Sequence, residues 1–130
     1  MYKVSLAIPI YNVSLFVERA LLSVLNQTYD NIEYLIVDDK GQDDSMDIVH
    51  RIIKDHPRGK DVRIIEHPYN IGLGATRNTA IDNAQGEYLF FMDSDDEIIP
   101  TCIEILVHKM QEHPVDFIAA SHMKKDLSGK

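Results

Sequence analysis

The segment that decides the fold reads Tyr88-Leu89-Phe90-Phe91-Met92-Asp93-Ser94-Asp95-Asp96, an apolar run followed at once by a cluster of acids. The apolar part is typical of a buried β-strand. Three carboxylates directly after it would repel each other unless a cation lay between them. Hard divalent cations such as Mg²⁺ and Mn²⁺ prefer oxygen ligands of this kind. A solvated acidic loop that caps the next helix would look the same, so the motif alone leaves both interpretations open.

The composition is that of one modest domain and argues against several classes of function. The chain has 130 residues, 45% of them apolar, and a net charge of −8. A nucleic-acid-binding surface needs clustered Lys and Arg, so none is expected. The single cysteine, Cys102, excludes an intrachain disulfide and fits a reducing compartment. Without a recognisable secretory signal or a membrane-spanning apolar run, we expect a cytoplasmic protein that could work at the inner face of the membrane.

Strand patterns alternate with helix patterns along the whole chain. The predicted strands are residues 4–8, 32–37, 62–65, 87–92 and 115–120, and the predicted helices begin near Ser14, Ser45, Gly72 and Pro100. Ser14 is predicted to cap the first helix. Alternation of this kind predicts an α/β fold with a mainly parallel sheet that is covered by helices on both faces. In such sheets, ligands bind outside the carboxyl ends of the strands.

Three predicted strands end in residues that could contact a ligand. The first ends at Pro9-Ile10-Tyr11-Asn12, the second at Asp38-Asp39 and the fourth at Asp93-Ser94-Asp95. The Tyr11 ring could stack on a planar base or simply pack on the edge of the sheet. Asp38 and Asp39 could accept hydrogen bonds from a base or a ribose, or they could cap a helix. Capping is the better explanation for three later acids, Asp43, Asp44 and Asp47.

Arg77 is predicted to lie on the buried side of its helix. Its spacing places it with the apolar residues Leu73, Ala80, Ile81 and Ala84. A buried Arg needs a partner, which here would be a strand-end Asp, an anionic ligand or a structural salt bridge. The six histidines show no zinc-ligand spacing, and most are expected at the surface.

Several of these segments, taken in order, resemble the family 2 glycosyltransferases of GT-A type. The resemblance covers about residues 4–100 and rests on the following segments: Ser5–Asn12, Ser23–Tyr29, Ile36–Asp39, Asn70–Gly72, Ala75–Asn78, Ala84–Tyr88 and Asp93–Asp96. It implies a Rossmann-like GT-A fold that transfers a sugar from a nucleotide-diphosphate sugar, expected to be UDP-linked, to an acceptor hydroxyl with inversion. The acceptor would be a saccharide or a lipid-linked saccharide.

The resemblance also implies roles for individual residues. Pro9, Tyr11 and the acids Asp38 and Asp39 would hold the base and ribose, and Arg77 would lie near the base. Asp93 and Asp95 would hold ribose and the Mn²⁺ or Mg²⁺ that bridges the diphosphate, with Asp95 as the more direct metal ligand. One departure is that the family usually continues Gly-Ser-x-Asp after the two acids, whereas this chain has 40–45 as Lys-Gly-Gln-Asp-Asp-Ser.

A second departure concerns what the chain does not contain. No residue matches the family's general base, so no catalytic residue is assigned within residues 1–130, and we expect this chain to be the N-terminal donor-binding domain of a longer enzyme. It would be inactive alone, could self-associate, and could reach the membrane through the missing part. A non-catalytic nucleotide-binding module is the alternative. A phosphoacceptor signalling domain is disfavoured because its acidic pair would follow the first strand.

Overall fold

Four parallel strands form the sheet of the structure, a computed structural model that describes residues 2–112. The strands are β1 (Val4–Ile10), β2 (Ile32–Asp38), β3 (Val62–Glu66) and β4 (Tyr88–Phe91). Their spatial order is β3-β2-β1-β4, and every neighbouring pair is parallel. The predicted parallel sheet is confirmed. The strand predicted at residues 115–120 lies outside the described residues.

Helices cover both faces of this sheet, as predicted. They are α1 (Val17–Leu25), α2 (Ser45–Asp55), α3 (Leu73–Asn83) and α4 (Cys102–Glu112), and a 3₁₀ helix spans Pro57–Asp61. The first, second and fourth helices share the main hydrophobic core with one face of the sheet. Helix α3 packs on the other face. This placement follows from right-handed crossovers, because the chain moves from β1 to β3 in one direction and then returns to the opposite side of β1.

The central strand β1 shows why the two faces differ. Every residue of β1 is buried. Leu6, Ile8 and Ile10 face the large core, whereas Ala7 faces α3 together with Leu35 and Ala80. The predicted apolar stripe of α1 is fully buried, as expected. The α3 face therefore has a thin core built around small residues, and the helix lies close to the sheet.

Two predictions about helix starts are wrong. Ser14 does not cap α1, because the helix begins at Val17 and its first backbone N–H groups donate to the carbonyl of Val13. The backbone N–H of Ser14 instead donates to Asp43 Oδ2 at 3.0 Å. Pro100 does not lie in the first turn of α4, which begins at Cys102 after a separate turn. The N-cap position of α1 is Phe16, two residues after Ser14, and the contact with Asp43 holds Ser14 outside the helix.

The predicted buried face of α3 is correct for Ala80 and wrong for its larger residues. Leu73, Arg77 and Ile81 are exposed, and Ile81 is 60% exposed. The buried residues are Thr76 and Ala80. A thin core favours small side chains at the contact, since a closely approaching helix has no room for Leu or Arg. Arg77 therefore needs no buried partner.

A polar network at the amino-terminal edge of the sheet fixes where β4 begins. Buried Glu33 accepts hydrogen bonds from Ser5 Oγ, from Arg63 Nη2 at 3.1 Å and from the backbone N–H of Gln85 at 2.6 Å. Burial alone would raise the pKa of Glu33, but the hydrogen bonds and the Arg63 charge outweigh it and lower the pKa. Ser5 Oγ in turn accepts from the N–H of Gly86 at 2.8 Å. The network holds the turn into β4 beside β1, which places the acids that follow β4 at the opposite edge.

Candidate functional site

An open cleft of about 590 Å³ lies at the carboxyl ends of the strands. It occupies the point where the strand order reverses, since β1 is flanked by β2 on one side and β4 on the other. Ligands of open parallel sheets bind at this position. The cleft is lined by Pro9, Tyr11, Val13, Phe16, Asp39, Asn70, Gly72, Leu73, Thr76, Asp93, Ser94 and Asp95.

The segment after β1 forms one wall of the cleft. Tyr11 is 44% exposed, so its ring is free to meet a planar ligand. Asn12 has a left-handed backbone (φ 51°), and its Oδ1 accepts from the N–H of Gln42 at 2.7 Å. A Cβ on Gly41 would lie 2.6 Å from this Asn12 oxygen, so only glycine allows the approach. The loops after β1 and β2 are thereby locked together.

Asp39 is the most fully hydrogen-bonded carboxylate of the cleft. Its Oδ1 accepts from His67 Nδ1 at 2.8 Å and from the N–H of Ile71 at 3.0 Å. Its Oδ2 accepts from Asn70 Nδ2 at 2.6 Å and from the N–H of Gly72 at 3.0 Å. Burial alone would raise the pKa of Asp39, but the hydrogen bonds from His67, Ile71 and Gly72 outweigh it, so the pKa is lowered. Asp39 is thus ionised at neutral pH and holds the loop that precedes α3.

Gly72 is the point where this loop turns into α3. Its φ of 98° lies in the region that favours glycine. Its N–H donates to Asp39 and its carbonyl accepts from the N–H of Thr76 in the first turn of the helix. Asp39 thus fixes the position at which α3 starts.

Asp38 differs from Asp39 in its hydrogen bonds and in its position relative to the cleft. It is buried, its Oδ1 accepts from the N–H of Lys40 at 2.9 Å, and it does not line the cleft. Lys40 has a left-handed backbone (φ 57°) at the position where the family pattern has glycine. Its Nζ lies 2.6 Å from Glu66 Oε2 and 4.0 Å from Asp38 Oδ2. The hydrogen bond to Glu66 raises the pKa of Lys40.

The acids after β4 form the predicted cluster. Asp93, Asp95 and Asp96 each offer an oxygen, and these oxygens lie within 4.8 Å of one another. Asp95 is exposed, and the other two are half-buried. Three carboxylate oxygens so close together form a donor set that suits a hard divalent cation. Asp96 belongs to the acidic cluster recognised in the sequence, but the resemblance assigned only Asp93 and Asp95 to the metal.

The structure brings together most of the predicted site residues but not all of them. Pro9, Tyr11, Asp39, Asp93 and Asp95 line one cleft, while Asp38 and Arg77 do not. Arg77 lies on the exposed side of α3, with its guanidinium carbon 5.4 Å from the centre of the Phe91 ring.

The sequence prediction missed His67, Asn70 and Thr76. Most of the six histidines were expected at the surface and His67 was not singled out, yet it is 6% exposed and contacts Asp39. It directly follows β3, so the strand-end argument applied to the other three strands would have found it. Asn70 and Thr76 lie in two segments that resemble the family, Asn70–Gly72 and Ala75–Asn78, but no role was assigned to either residue.

Comparison with known proteins decides the family. A protein-family model described as "Glycosyl transferase family 2" matches residues 5–130. The chain belongs to glycosyltransferase family 2. The resemblance inferred from the motifs is therefore confirmed.

Relatives and solved structures agree with this membership. The chain is 37% identical over 130 residues to the UDP-Glc:alpha-D-GlcNAc-diphosphoundecaprenol beta-1,3-glucosyltransferase WfaP of Escherichia coli, covering 98% of this chain and 49% of the relative. The crystal structure of S. aureus TarS 1–349 in complex with UDP-GlcNAc superposes with a TM-score of 0.77 at 28% identity, covering 85% of this chain and 32% of that one. A mannosyltransferase from Pyrobaculum calidifontis, solved with GDP-Man and Mn²⁺, gives a TM-score of 0.81 at 24% identity, covering 88% and 34% of the two chains, and shows the fold alone.

The structural neighbours are GT-A type glycosyltransferases, which confirms the fold class. The chain spans half or less of the length of the curated relatives that it matches. Within residues 2–112, no helix is both long and apolar enough to cross a membrane.

Proposed function

We propose that this chain binds the donor of a glycosyltransferase that moves a sugar from a UDP-sugar to an acceptor hydroxyl. The observation that carries the proposal is the shared cleft of Tyr11, Asp39, Asp93 and Asp95 at the strand-order reversal. Family membership and the UDP-GlcNAc complex of TarS support a nucleotide sugar as the ligand. UDP is preferred over GDP because the relatives above 25% identity that name a nucleotide name UDP.

The β1 and β2 ends would receive the nucleoside. The exposed Tyr11 ring offers a stacking surface for uracil, and Pro9 lies beside it on the cleft wall. Asp39 lies deeper in the cleft, and it would act on the base or ribose through the loop that it holds, because residues 67–72 already occupy its carboxylate oxygens. We place Asp38 behind this wall, where it supports the turn through Lys40. Arg77 would contribute to donor binding from outside the lining residues, on the β4 side, where its guanidinium lies over Phe91.

The β4 end would receive the diphosphate. Asp95 and Asp93 are the proposed ligands of Mn²⁺ or Mg²⁺, with Asp93 also close to the ribose, and Asp96 completes the carboxylate group. A bound divalent cation would neutralise the diphosphate and make it a better leaving group. The positions of the carboxylates would determine where the cation binds, at the β4 side of the cleft.

Transfer with inversion needs a base on the acceptor hydroxyl, and we place it beyond this chain. Within residues 2–112, the acids that line the cleft are Asp39, Asp93 and Asp95, and all three are assigned to the nucleotide or the metal. Absence of a general base costs roughly 10²–10⁴-fold in rate. The acceptor would be a saccharide, on a lipid carrier as in the name of WfaP, which would bring the whole enzyme to the inner face of the membrane.

Calorimetry with UDP tests the binding proposal. UDP is expected to bind more tightly with Mn²⁺ than with EDTA, and Asp95→Asn should weaken the metal-dependent part by about 1–3 kcal/mol, the scale of one charged partner lost. Asp44→Asn is the matched control, because Asp44 is an exposed acid outside the cleft. Equal affinity with and without metal would exclude the metal role, and an equal effect of the control would show that only net charge matters.

A turnover assay separates the enzyme from the alternative, a nucleotide-binding module without catalysis. This alternative is favoured for residues 1–130 taken alone, because the described acids of the cleft, Asp39, Asp93 and Asp95, are already assigned and none is left to act as the base. UDP release from UDP-sugars should be slow for this chain with any acceptor and fast for a version extended at the carboxyl end. Fast turnover by the short form would place the base within residues 1–130. Slow turnover by both forms, with UDP still bound, would favour the binding module.

A further inference from the structure

His67 is a buried histidine whose two ring nitrogens join the cleft to helix α3. Nδ1 lies 2.8 Å from Asp39 Oδ1, and Nε2 lies 2.7 Å from Thr79 Oγ1. The backbone N–H of His67 donates to the carbonyl of Asp38 at 2.9 Å, which extends the pairing of β2 and β3 by one residue. The ring itself does not line the cleft. It stands one layer behind the wall.

The carboxylate of Asp39 determines which atom donates the hydrogen bond between it and Nδ1 of His67. An ionised carboxylate only accepts, so the ring nitrogen that faces Asp39 carries the proton. That proton is one of four donated to the two oxygens of Asp39, and the others come from Ile71, Gly72 and Asn70. Four donors fill the usual acceptor positions of a carboxylate and leave it one orientation.

We propose that His67 is a positioning residue, which sets the orientation of Asp39 and of the loop 70–72 and thereby the nucleoside end of the cleft. The proposal rests on the proposed nucleotide-binding function of that cleft. Asn70, Gly72 and Asp39 all line it, so a carboxylate that rotates would move three lining residues together. The ring itself touches neither a ligand nor the acids after β4.

Two substitutions separate the two ring nitrogens. His67→Asn keeps a donor close to the place of Nδ1, facing Asp39, but cannot reach Thr79. His67→Gln is longer and keeps an amide near the place of Nε2, facing Thr79, but gives no hydrogen bond to Asp39. Both variants lose the imidazole ring and one hydrogen bond, so a purely structural role would affect them alike.

UDP affinity with Mn²⁺ is the first measurement. The dissociation constant of His67→Gln is expected to rise about tenfold or more, the scale of a lost hydrogen bond to a charged group. His67→Asn should stay within about threefold of wild type, a change smaller than one neutral hydrogen bond. Thr79→Val removes the other partner of the ring and serves as a control for stability, because Thr79 does not line the cleft. It should lower the melting temperature without weakening UDP binding.

Hydrogen exchange at the Ile71 and Gly72 amides is the second measurement, and it needs no ligand. Both amides donate to Asp39, so both should lose protection in His67→Gln and keep it in His67→Asn. If wild type fails to bind UDP, the proposed function falls, and the exchange data alone judge His67. Equal protection in the two variants would overturn the positioning role. So would a loss of UDP affinity in Thr79→Val that matches the loss in His67→Gln.

Discussion

Asp39 and Asp95 line the same cleft, but the protein surrounds them in opposite ways. The Asp39 side chain is 3% exposed and accepts four hydrogen bonds from residues 67–72. Asp95 is exposed, and within residues 2–112 its side chain and that of Asp93 receive no hydrogen bond or ion pair. One carboxylate is an internal support of the fold, and the other is available to a ligand.

This difference indicates how the two ends of a donor would be met. The end near Asp39 is formed before any ligand arrives, so little ordering would be needed when a nucleoside binds. The acids after β4 remain mutually repulsive until a cation joins them. Nucleoside recognition should therefore depend on the stability of the fold, and diphosphate recognition on metal concentration.

Removing each carboxylate should give the largest contrast. Asp39→Ala leaves the donors of His67, Asn70, Ile71 and Gly72 without an acceptor in the interior, and we expect a loss of about 3–5 kcal/mol, as for breaking a buried charged pair. Asp95→Ala should change stability by no more than about 0.5 kcal/mol, as for an exposed residue. Urea unfolding of both variants measures this, and similar losses would show that the two acids are not differently supported.

Metal binding should affect the Asp95 end of the cleft and test the same contrast between Asp39 and Asp95. Mn²⁺ at about 100 times its dissociation constant stabilises a protein by about 2.7 kcal/mol if it binds only the folded state. We expect Mn²⁺ to raise the melting temperature of wild type and of Asp44→Asn, and not that of Asp95→Asn. Thermal melts with Mn²⁺ and with EDTA provide the comparison. An unchanged response of Asp95→Asn would move the metal away from this cluster.

Acid should destabilise the Asp39 end. The folded-state pKa of Asp39 lies below its ordinary value of 3.8, so its contribution to stability is complete above that pH and is lost as the pH falls through the folded pKa. Glu33 and Asp43 have lowered pKa values too and add to the same trend. The effect should be smaller than deletion of Asp39, because a protonated carboxyl still fills the space and accepts some of the bonds.

Melting temperatures measured between about pH 5 and pH 2 test this trend. Wild type should lose stability more steeply than Asp39→Asn, whose amide does not titrate over that range. Parallel curves for the two proteins would mean that Asp39 contributes nothing to acid sensitivity.

Arg77→Ala should have only a small effect. The exposed guanidinium lies over Phe91, and an exposed cation–π contact is worth about 0.5–1 kcal/mol. Arg77→Lys keeps the charge and is the matched control. A loss of several kcal/mol in Arg77→Ala would restore the buried partner that the sequence predicted and the structure does not show.

The helical spacing of α1 predicted its packing, while that of α3 did not, and the two helices show why. The apolar residues of α1 form one stripe, Val17, Ala20, Leu21, Val24 and Leu25, and all of them are buried. In α3, the large apolar residues Leu73 and Ile81 lie on one side and the buried pair Thr76 and Ala80 on another. Hydrophobicity alone chooses the wrong side there, because the close approach to Ala7 and Leu35 selects small residues.

The positions of the strand-end residues were predictable from the sequence, but their hydrogen-bond partners were not. Strand periodicity alone predicts that Tyr11, Asp39 and Asp93 lie at one edge, since parallel strands share their carboxyl edge. That Asp39 would be enclosed by His67 and Ile71 depends on the path of a loop, which local propensity does not encode. Ser14 failed for the same reason, since Asp43 is 29 positions away in sequence.

The distances along the chain between Asp39 and its partners have a consequence for folding. Its hydrogen-bond donors lie 28 to 33 positions further on, whereas the acids of the metal cluster fall within residues 93–96. The acids of the metal cluster are close together even in a short peptide. The hydrogen bonds between Asp39 and residues 67–72 form only after β2, β3 and the start of α3 have come together. During synthesis, residues 39–72 are made before residues 93–96, so the nucleoside end of the cleft can be complete before the acids of the metal cluster are in place.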